Sequence, residues 1–504
     1  MTLRASLPIA SLLASLCTFA VACGGATAGG SDPDPVVTPD PQPTVTPTPP
    51  TPPKPPVNTC NTKVVDPSCP STTPAPTASA AVSAFVKGDA IPLACGDVND
   101  ATWDVSPLVQ LYGDNRMYMT GEVHGSNEIG IVSAVTFEAL ASKNLVDTLG
   151  YELPMDFETS MQRYVDTGKD ETATRVFQAL APNMFGNILT KTARSLKEKG
   201  IALKVAAVDI PYTTAIPVKR IQDIAQKLTT KKDTVLSTLP TSTGGQPTQA
   251  DVQKANQYFD LIMKEKAGIC AELSPDDCDG LVAMTHAIWA TTNVDNMGGD
   301  ELLWFQRREE VIYYNLHDKM RSPTSRMYLH MGAFHTNKYA MTDRGYASGG
   351  ARMANEFPGT KGKVFSVAPA FGDGSVIYYG GDMDLPADPP EVIAALTDAP
   401  EHPMFVSITR PNASCVKNPL ADKIAEVSGG KNGETYDGYI HYGKLTSEQR
   451  PASTKISKES GVKGDGKGAA DEIISEEAMK IRIFRARIVE REHRAMKKFA
   501  KLAR

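Results

Sequence analysis

The stretch Met117-Tyr118-Met119-Thr120-Gly121-Glu122-Val123-His124-Gly125 decides how the rest of the chain is read. An apolar, β-favouring run stops at glycine, presents an acid and an imidazole, and gives way to helix-like sequence at Asn127-Glu128. Open α/β sheets bind ligands just outside the C-terminal ends of their strands. Gly121 and Gly125 let the backbone turn sharply there and approach a ligand closely. Far downstream, Met327-Tyr328-Leu329-His330-Met331-Gly332-Ala333-Phe334-His335 repeats the pattern, a short apolar run closing in Gly-x-x-His. Glu122, His124 and His335 are therefore the first candidate site residues.

Around these two stretches, strand-like and helix-like segments alternate. Arg116 to Val123 reads as a strand and Asn127 to Lys143 as a helix, with Ile129, Val132 and Val135 on its apolar positions. Val146 to Leu153 reads as a second strand with Glu152 near its end, and Leu203 to Val208 as a third, closing at Asp209. Such alternation predicts an α/β fold with a mostly parallel or mixed central sheet flanked by helices. Residues 218–320 read as a helical insertion. Its last helix, from Asp300 as N-cap to Met320, puts Arg308, Ile312 and Asn315 on one face. Lys363 to Ala368, Val376 to Tyr379 and Met404 to Ile408 read as further strands, so the α/β domain is expected over 84–445. Residues 446–504 read as a polar linker and a basic C-terminal helix. There Ile481, Ile483, Phe484, Ile488 and Val489 are interleaved with Arg and Lys without a clean apolar stripe. The helix reads as a solvated appendage, the alternative being a membrane-surface or partner helix.

The composition is that of a globular protein, with 41% hydrophobic and 22% charged residues among 504. A formal charge of -6 argues against nucleic acid as a partner. At the N-terminus, Arg4 precedes an apolar run from Leu7 to Val21 that is too short to span a bilayer, so residues 1–22 read as a signal peptide. The end of that run, Ala20-Val21-Ala22-Cys23-Gly24-Gly25, resembles a bacterial lipobox. The resemblance implies cleavage before Cys23, a lipid on its thiol, and anchoring to a membrane of the bacterial cell envelope; plain secretion is the alternative. Residues 23–83, rich in Pro and Thr, read as an extended stalk without a core. Cys60, Cys69, Cys95, Cys270, Cys278 and Cys415 remain as disulfide candidates. Spacing favours the local loops Cys60–Cys69 and Cys270–Cys278, leaving Cys95 for Cys415.

The two Gly-x-x-His strand ends, with Glu122 inside the first, are similar to the Tiki/TraB, ChaN-like and erythromycin-esterase-like superfamily. Leu149-Gly150-Tyr151-Glu152 followed by Gln162-Arg163-Tyr164-Val165-Asp166-Thr167-Gly168 resembles the esterase branch. So do Lys204 to Asp209 and the helix from Arg308-Glu309 to Asn315. The esterases carry paired histidines in the second motif, where Gly332 stands here; the Gly-x-x-His form is closer to the metal-dependent Tiki proteases and the haem-associated ChaN-like lipoproteins. The resemblance thus implies either hydrolysis of an ester or peptide bond in a small-molecule or peptide substrate, or haem or other ligand binding without catalysis.

Hydrolysis needs an activated water and stabilisation of developing charge. His124, His335, Glu122 and Glu152 have the donor chemistry for one divalent metal ion; without metal, His124 or His335 serves as general base oriented by an acid. Arg308 is a candidate to pair with an acid or bind a substrate anion, and Asn315 to position a polar group. The bland alternatives are a strand-end salt bridge for Glu152 and helix-surface positions for Arg308 and Asn315. His330 and His286 read as structural.

Overall fold

The apolar segments flanking the two motifs change face at every residue, and in the computed structural model of the protein they form strands buried on both sides. The structure describes residues 67–95, 102–179, 185–242, 247–295, 300–339, 347–370, 373–378, 381–384, 403–420, 435–445 and 476–503. The signal segment 1–22, Cys23, the first part of the stalk, Cys60 and the linker 446–475 lie outside the described residues.

Among the described residues the main sheet has eight strands. They are β1 Ile91–Pro92, β2 Met117–Glu122, β3 Thr148–Pro154, β4 Lys204–Asp209, β5 Met327–Gly332, β6 Val364–Ala370, β7 Met404–Ser407 and β8 Gly438–His441. Their order is β1-β7-β8-β6-β2-β5-β3-β4. Neighbours from β8 to β4 run parallel, while β7 is antiparallel to both β1 and β8. The fold is α/β with a mixed sheet flanked by helices. After β2, β3 and β4 the chain passes through the helical insertion and returns to lay β5 between β2 and β3. That reversal of direction puts the ends of β2, β5 and β3 side by side, the place where such sheets open a crevice.

Alternation explains both cores. Tyr118, Tyr328, Leu149 and Phe365 pack on one face with Phe137 and Leu140 of helix Asn127–Ser142. Met117, Met119, Met327 and Leu329 pack on the other with Ile312 and Leu316 of helix Glu301–Lys319. Asp300 caps that helix, accepting from the Leu302 and Leu303 amides. The open edge at β4 is covered by helix Glu158–Thr167, whose side chains imitate a neighbouring strand. Gln162 accepts from Val205 N and donates to Leu203 O, and Glu158 accepts from Ala207 N.

Three expectations change. The folded body begins before Ala84: helix Ser79–Asp89 buries Val82, and Thr73 forms a β-bridge with Val416. Beside that bridge Cys69 is bonded to Cys415, which replaces both the Cys60–Cys69 and the Cys95–Cys415 pairings; Cys95 is itself in a disulfide. Cys270–Cys278 forms as expected. Third, the C-terminal helix Glu476–Ala503 is not a solvated appendage but packs into the α/β body. Ala478, Ile481, Ile488 and Ala495 are buried in the main core, and Phe484 packs edge-on against Tyr212. Among the described residues no helix is long and apolar enough to cross a membrane.

Candidate functional site

Register places the first elements of the site. Glu122 at the end of β2 pairs with Gly332 at the end of β5, and Tyr151, just before Glu152, pairs with His330. Past β5 a tight turn forms as Ala333 N donates to Glu122 O and His335 N to Gly332 O. Gly125, with φ of +90°, closes the corresponding turn past β2. The bare Cα of Gly332 lies at the centre. A Cβ there would stand 3.4 Å from Glu152 Oε2 and His335 Cδ2 and 3.5 Å from His124 Nε2.

The outer part is built on Glu122. One of its oxygens holds His124 Nδ1, and the other lies 2.9 Å from His330 Nε2. His124 Nε2 in turn faces Glu152 Oε2 at 3.9 Å. Burial alone would raise the Glu122 carboxyl, but His124 and His330 outweigh it and hold it below the usual range. Burial opposes charge on His124, yet Glu122 and Glu152 outweigh it and raise its pKa. His124 is 8% exposed, whereas Glu152 and His335 are fully buried, so the first imidazole marks the side nearer solvent.

The inner part is organised by Arg308. Its guanidinium donates to Glu152 Oε1 at 2.6 Å, to both oxygens of Asp209 at 2.7 and 3.0 Å, and to Glu492 Oε2 at 2.9 Å. It also lies 3.2 Å from His335 Nε2. From the C-terminal helix, Arg485 donates to Glu152 O at 2.8 Å and reaches Glu152 Oε1 and Asp209 Oδ2 at 3.4 Å. His335 sits between Glu309, 2.5 Å from its Nδ1, and Glu492, 3.2 Å from its Nε2, with its ring stacked on Phe305. Burial works against each of these charges and is outweighed. His124, Arg308 and Arg485 hold Glu152 well below the carboxylate range. Glu309 and Glu492 raise His335 well above the usual imidazole value. His335 and Arg308 bring Glu492 down to about 2.

The expected residues Glu122, His124, Glu152, His335 and Arg308 thus converge on the strand ends. Asn315 does not join them: its amide donates to Val208 O and fixes the end of β4. His330, read as structural, is a direct partner of Glu122. His286 packs edge-on against Phe259 in the insertion, with burial, aided by Arg307, pushing its pKa down to about 3. Glu309, Arg485 and Glu492 were not expected in the site. Glu309 had only its adjacency to Arg308 as a signal, and the other two belong to the helix read as separate.

Two groups have ligand atoms within 4.8 Å of one another, the distance range of a shared metal ion: Glu122, His124 and Glu152, and Glu152, His335 and Glu492. The second already contains a cation, because the Arg308 guanidinium touches all three members. In the first, both Glu122 oxygens hold imidazoles, and Glu152 already accepts from two guanidiniums and the Gly332 amide. The donor types and spacing of the Glu122, His124 and Glu152 group suit a divalent ion, whereas Arg308 already supplies the cation of the second.

No protein family model matches the chain, and no curated relative does. Solved structures similar to it in fold include an erythromycin esterase mutant, EreC, in its open conformation. It shows 12% identity and a TM-score of 0.49 over 69% of this chain and 96% of that one. A Bacillus cereus protein gives 16% identity and 0.49 over 74% and 99%. The haem-binding ChaN of Campylobacter jejuni gives 13% identity and 0.25 over 54% and 87%. At such identities the likeness is one of fold and assigns no activity.

Proposed function

We propose that the protein is a hydrolase cleaving an ester or peptide bond by acid–base chemistry at His124. The observation that carries this reading is Glu122 bridging two imidazoles, with His124, at 8% exposure, the least buried member of the charge cluster. Glu122 accepts from Nδ1–H of His124, so the neutral ring carries its basic lone pair on Nε2. Nε2 takes a proton from water as the water oxygen bonds to the substrate carbonyl carbon. When the C–O or C–N bond breaks, the same proton passes to the leaving oxygen or nitrogen. Glu122 and Glu152 favour the imidazolium formed between these steps, and His330 fixes Glu122. Arg308 and Arg485 keep Glu152 ionised and in place.

The expectation of a resident divalent metal is not carried into this mechanism, since an ion held by Glu122, His124 and Glu152 would occupy the Nε2 lone pair that takes the proton. Nor is haem ligation by His335, which is fully buried beneath Glu492 and Glu309. We further propose that the protein works at a bacterial membrane surface through a lipid on Cys23, on a small-molecule or peptide substrate; the sequence of residues 1–23 supports this. The test is a panel of p-nitrophenyl esters and fluorogenic peptides before and after dialysis against a chelator. Turnover that survives dialysis is expected. Turnover abolished by the chelator and restored by zinc would overturn the metal-free chemistry, and no turnover on any substrate would overturn the hydrolase reading.

A further inference from the structure

The C-terminal helix delivers charge to the site from outside the α/β body. Its residues 478, 481, 485, 488, 492 and 495 recur at alternating steps of three and four, the spacing of one buried helix face. All six are buried, and two are charged: Arg485 and Glu492. A buried unpartnered charge is strongly disfavoured, so these side chains require the partners that the strand ends supply. The helix is held in register by more than these two. Arg487 pairs with Asp295 at 2.6 Å, and Arg491 donates to Val294 O at 3.3 Å. Its position along the crevice is therefore fixed.

Glu492 stands where two functions of the cluster meet. Its carboxylate bridges Arg308 Nη1, at 2.9 Å, and His335 Nε2, at 3.2 Å. The other guanidinium edges hold Asp209 and Glu152, and Glu152 is the acid facing His124. Asp209 and Glu152 hold the Nε and Nη2 side of the guanidinium, and Glu492 is the carboxylate on the Nη1 corner beside His335, so removing it leaves that corner without an anion and lets Arg308 shift against Glu152. We infer that Glu492 is a positioning residue of the site, brought by the C-terminal helix to lock Arg308 and, through it, Glu152 opposite His124. The inference rests on the hydrolase reading for its kinetic consequence only. The geometric part stands separately.

Chemical rescue in the full chain tests it. Glu492→Ala leaves a space of carboxylate size lined by Arg308 and His335, which formate can enter. With the best ester from the panel, kcat of the variant is expected to fall about 100-fold, the scale of a displaced catalytic group, with KM nearly unchanged. Sodium formate should restore kcat at least about tenfold, where sodium chloride at equal ionic strength does not. Formate should also raise Tm of Glu492→Ala and leave Tm of the native chain unchanged. Native kcat in the variant, or a loss that formate does not restore, overturns the positioning role. Should the native chain show no turnover, the Tm comparison decides alone: a formate-specific rise supports the site geometry and its absence overturns it. Should Glu492→Ala not fold, Glu492→Gln takes its place. It keeps an oxygen for Arg308 but loses the charge, so a kcat loss is expected and native kcat overturns the proposal.

Discussion

Arg308 Nη2 lies 2.6 Å from Glu152 Oε1, although the two residues are 156 positions apart in the chain. The contact joins the helix that precedes β5 to the end of β3, and the same guanidinium reaches Asp209 on β4 and Glu492 on the C-terminal helix. One side chain thereby ties four elements to the crevice.

Because the fork geometry matters as well as the charge, Arg308→Lys is expected to be poorly tolerated. An ammonium cannot serve Glu152, Asp209 and Glu492 together. Breaking a buried pair of this kind costs about 3–5 kcal/mol. Urea unfolding measures the loss, and a variant as stable as the native chain would mean that the arginine does not hold the cluster.

Stability should peak in mildly acidic solution. Glu122, Glu152 and Glu492 are held below their ordinary values, Glu492 at about 2. A depressed carboxylate contributes fully above its unfolded pKa, near 4.3, and loses that contribution as pH falls through the folded value. His124 and His335 are raised. They contribute fully below the unfolded value, near 6.5, and lose it as pH rises through the folded ones. The maximum therefore lies between about pH 4.5 and 6.5. Urea midpoints at about pH 3, 5.5 and 8 test this, and a profile rising steadily to pH 8 contradicts it.

The same shift on His124 gives activity the opposite slope on the alkaline side. A general base works unprotonated, so kcat/KM should climb as pH rises through the raised imidazole value. A rate independent of pH across neutrality would remove His124 from the role of base.

Gly332→Ala probes the centre of the site without removing a functional group. Its methyl would rest at ordinary contact distance, 3.4–3.5 Å, from Glu152 Oε2, His335 Cδ2 and His124 Nε2. The fold should persist, with stability within about 1 kcal/mol of the native chain, while turnover falls about tenfold or more. Unchanged turnover would place the reacting atoms elsewhere.

The Cys69–Cys415 bond closes a loop of 346 residues, and Cys415→Ser is expected to cost about 2–5 kcal/mol. Peptide mapping without reduction should recover the Cys69–Cys415 link; a Cys60–Cys69 peptide would contradict the structure.

Much of this site was legible because it sits on strand ends. A short apolar run followed by Gly-Glu-x-His or Gly-x-x-His placed Glu122, His124 and His335, and an acid closing the next apolar run placed Glu152. Arg308 came from the likeness of Arg308-Glu309 through Asn315 to the esterase-like helix, and the same likeness pointed wrongly to Asn315. The C-terminal helix was not legible because its buried face carries Arg485 and Glu492, and charged residues in a stripe lower the apparent amphipathicity. Their partners, Glu152, Asp209, Arg308 and His335, lie hundreds of residues away in the chain. His330 was misread for a related reason. It precedes its motif in sequence, yet register with β2 and β3 places it against Glu122. The disulfides failed where short loops were favoured, since the Thr73–Val416 bridge that brings Cys69 to Cys415 is a tertiary contact.

On the proposed reading His124, set by Glu122, performs the chemistry. Hydrolysis of p-nitrophenyl acetate by the full chain and by His124→Ala, with circular dichroism and Tm compared in parallel, tests it most directly. A folded variant whose kcat/KM is lower by about 100-fold or more is expected. A folded variant that turns over the ester at the native rate would contradict the account.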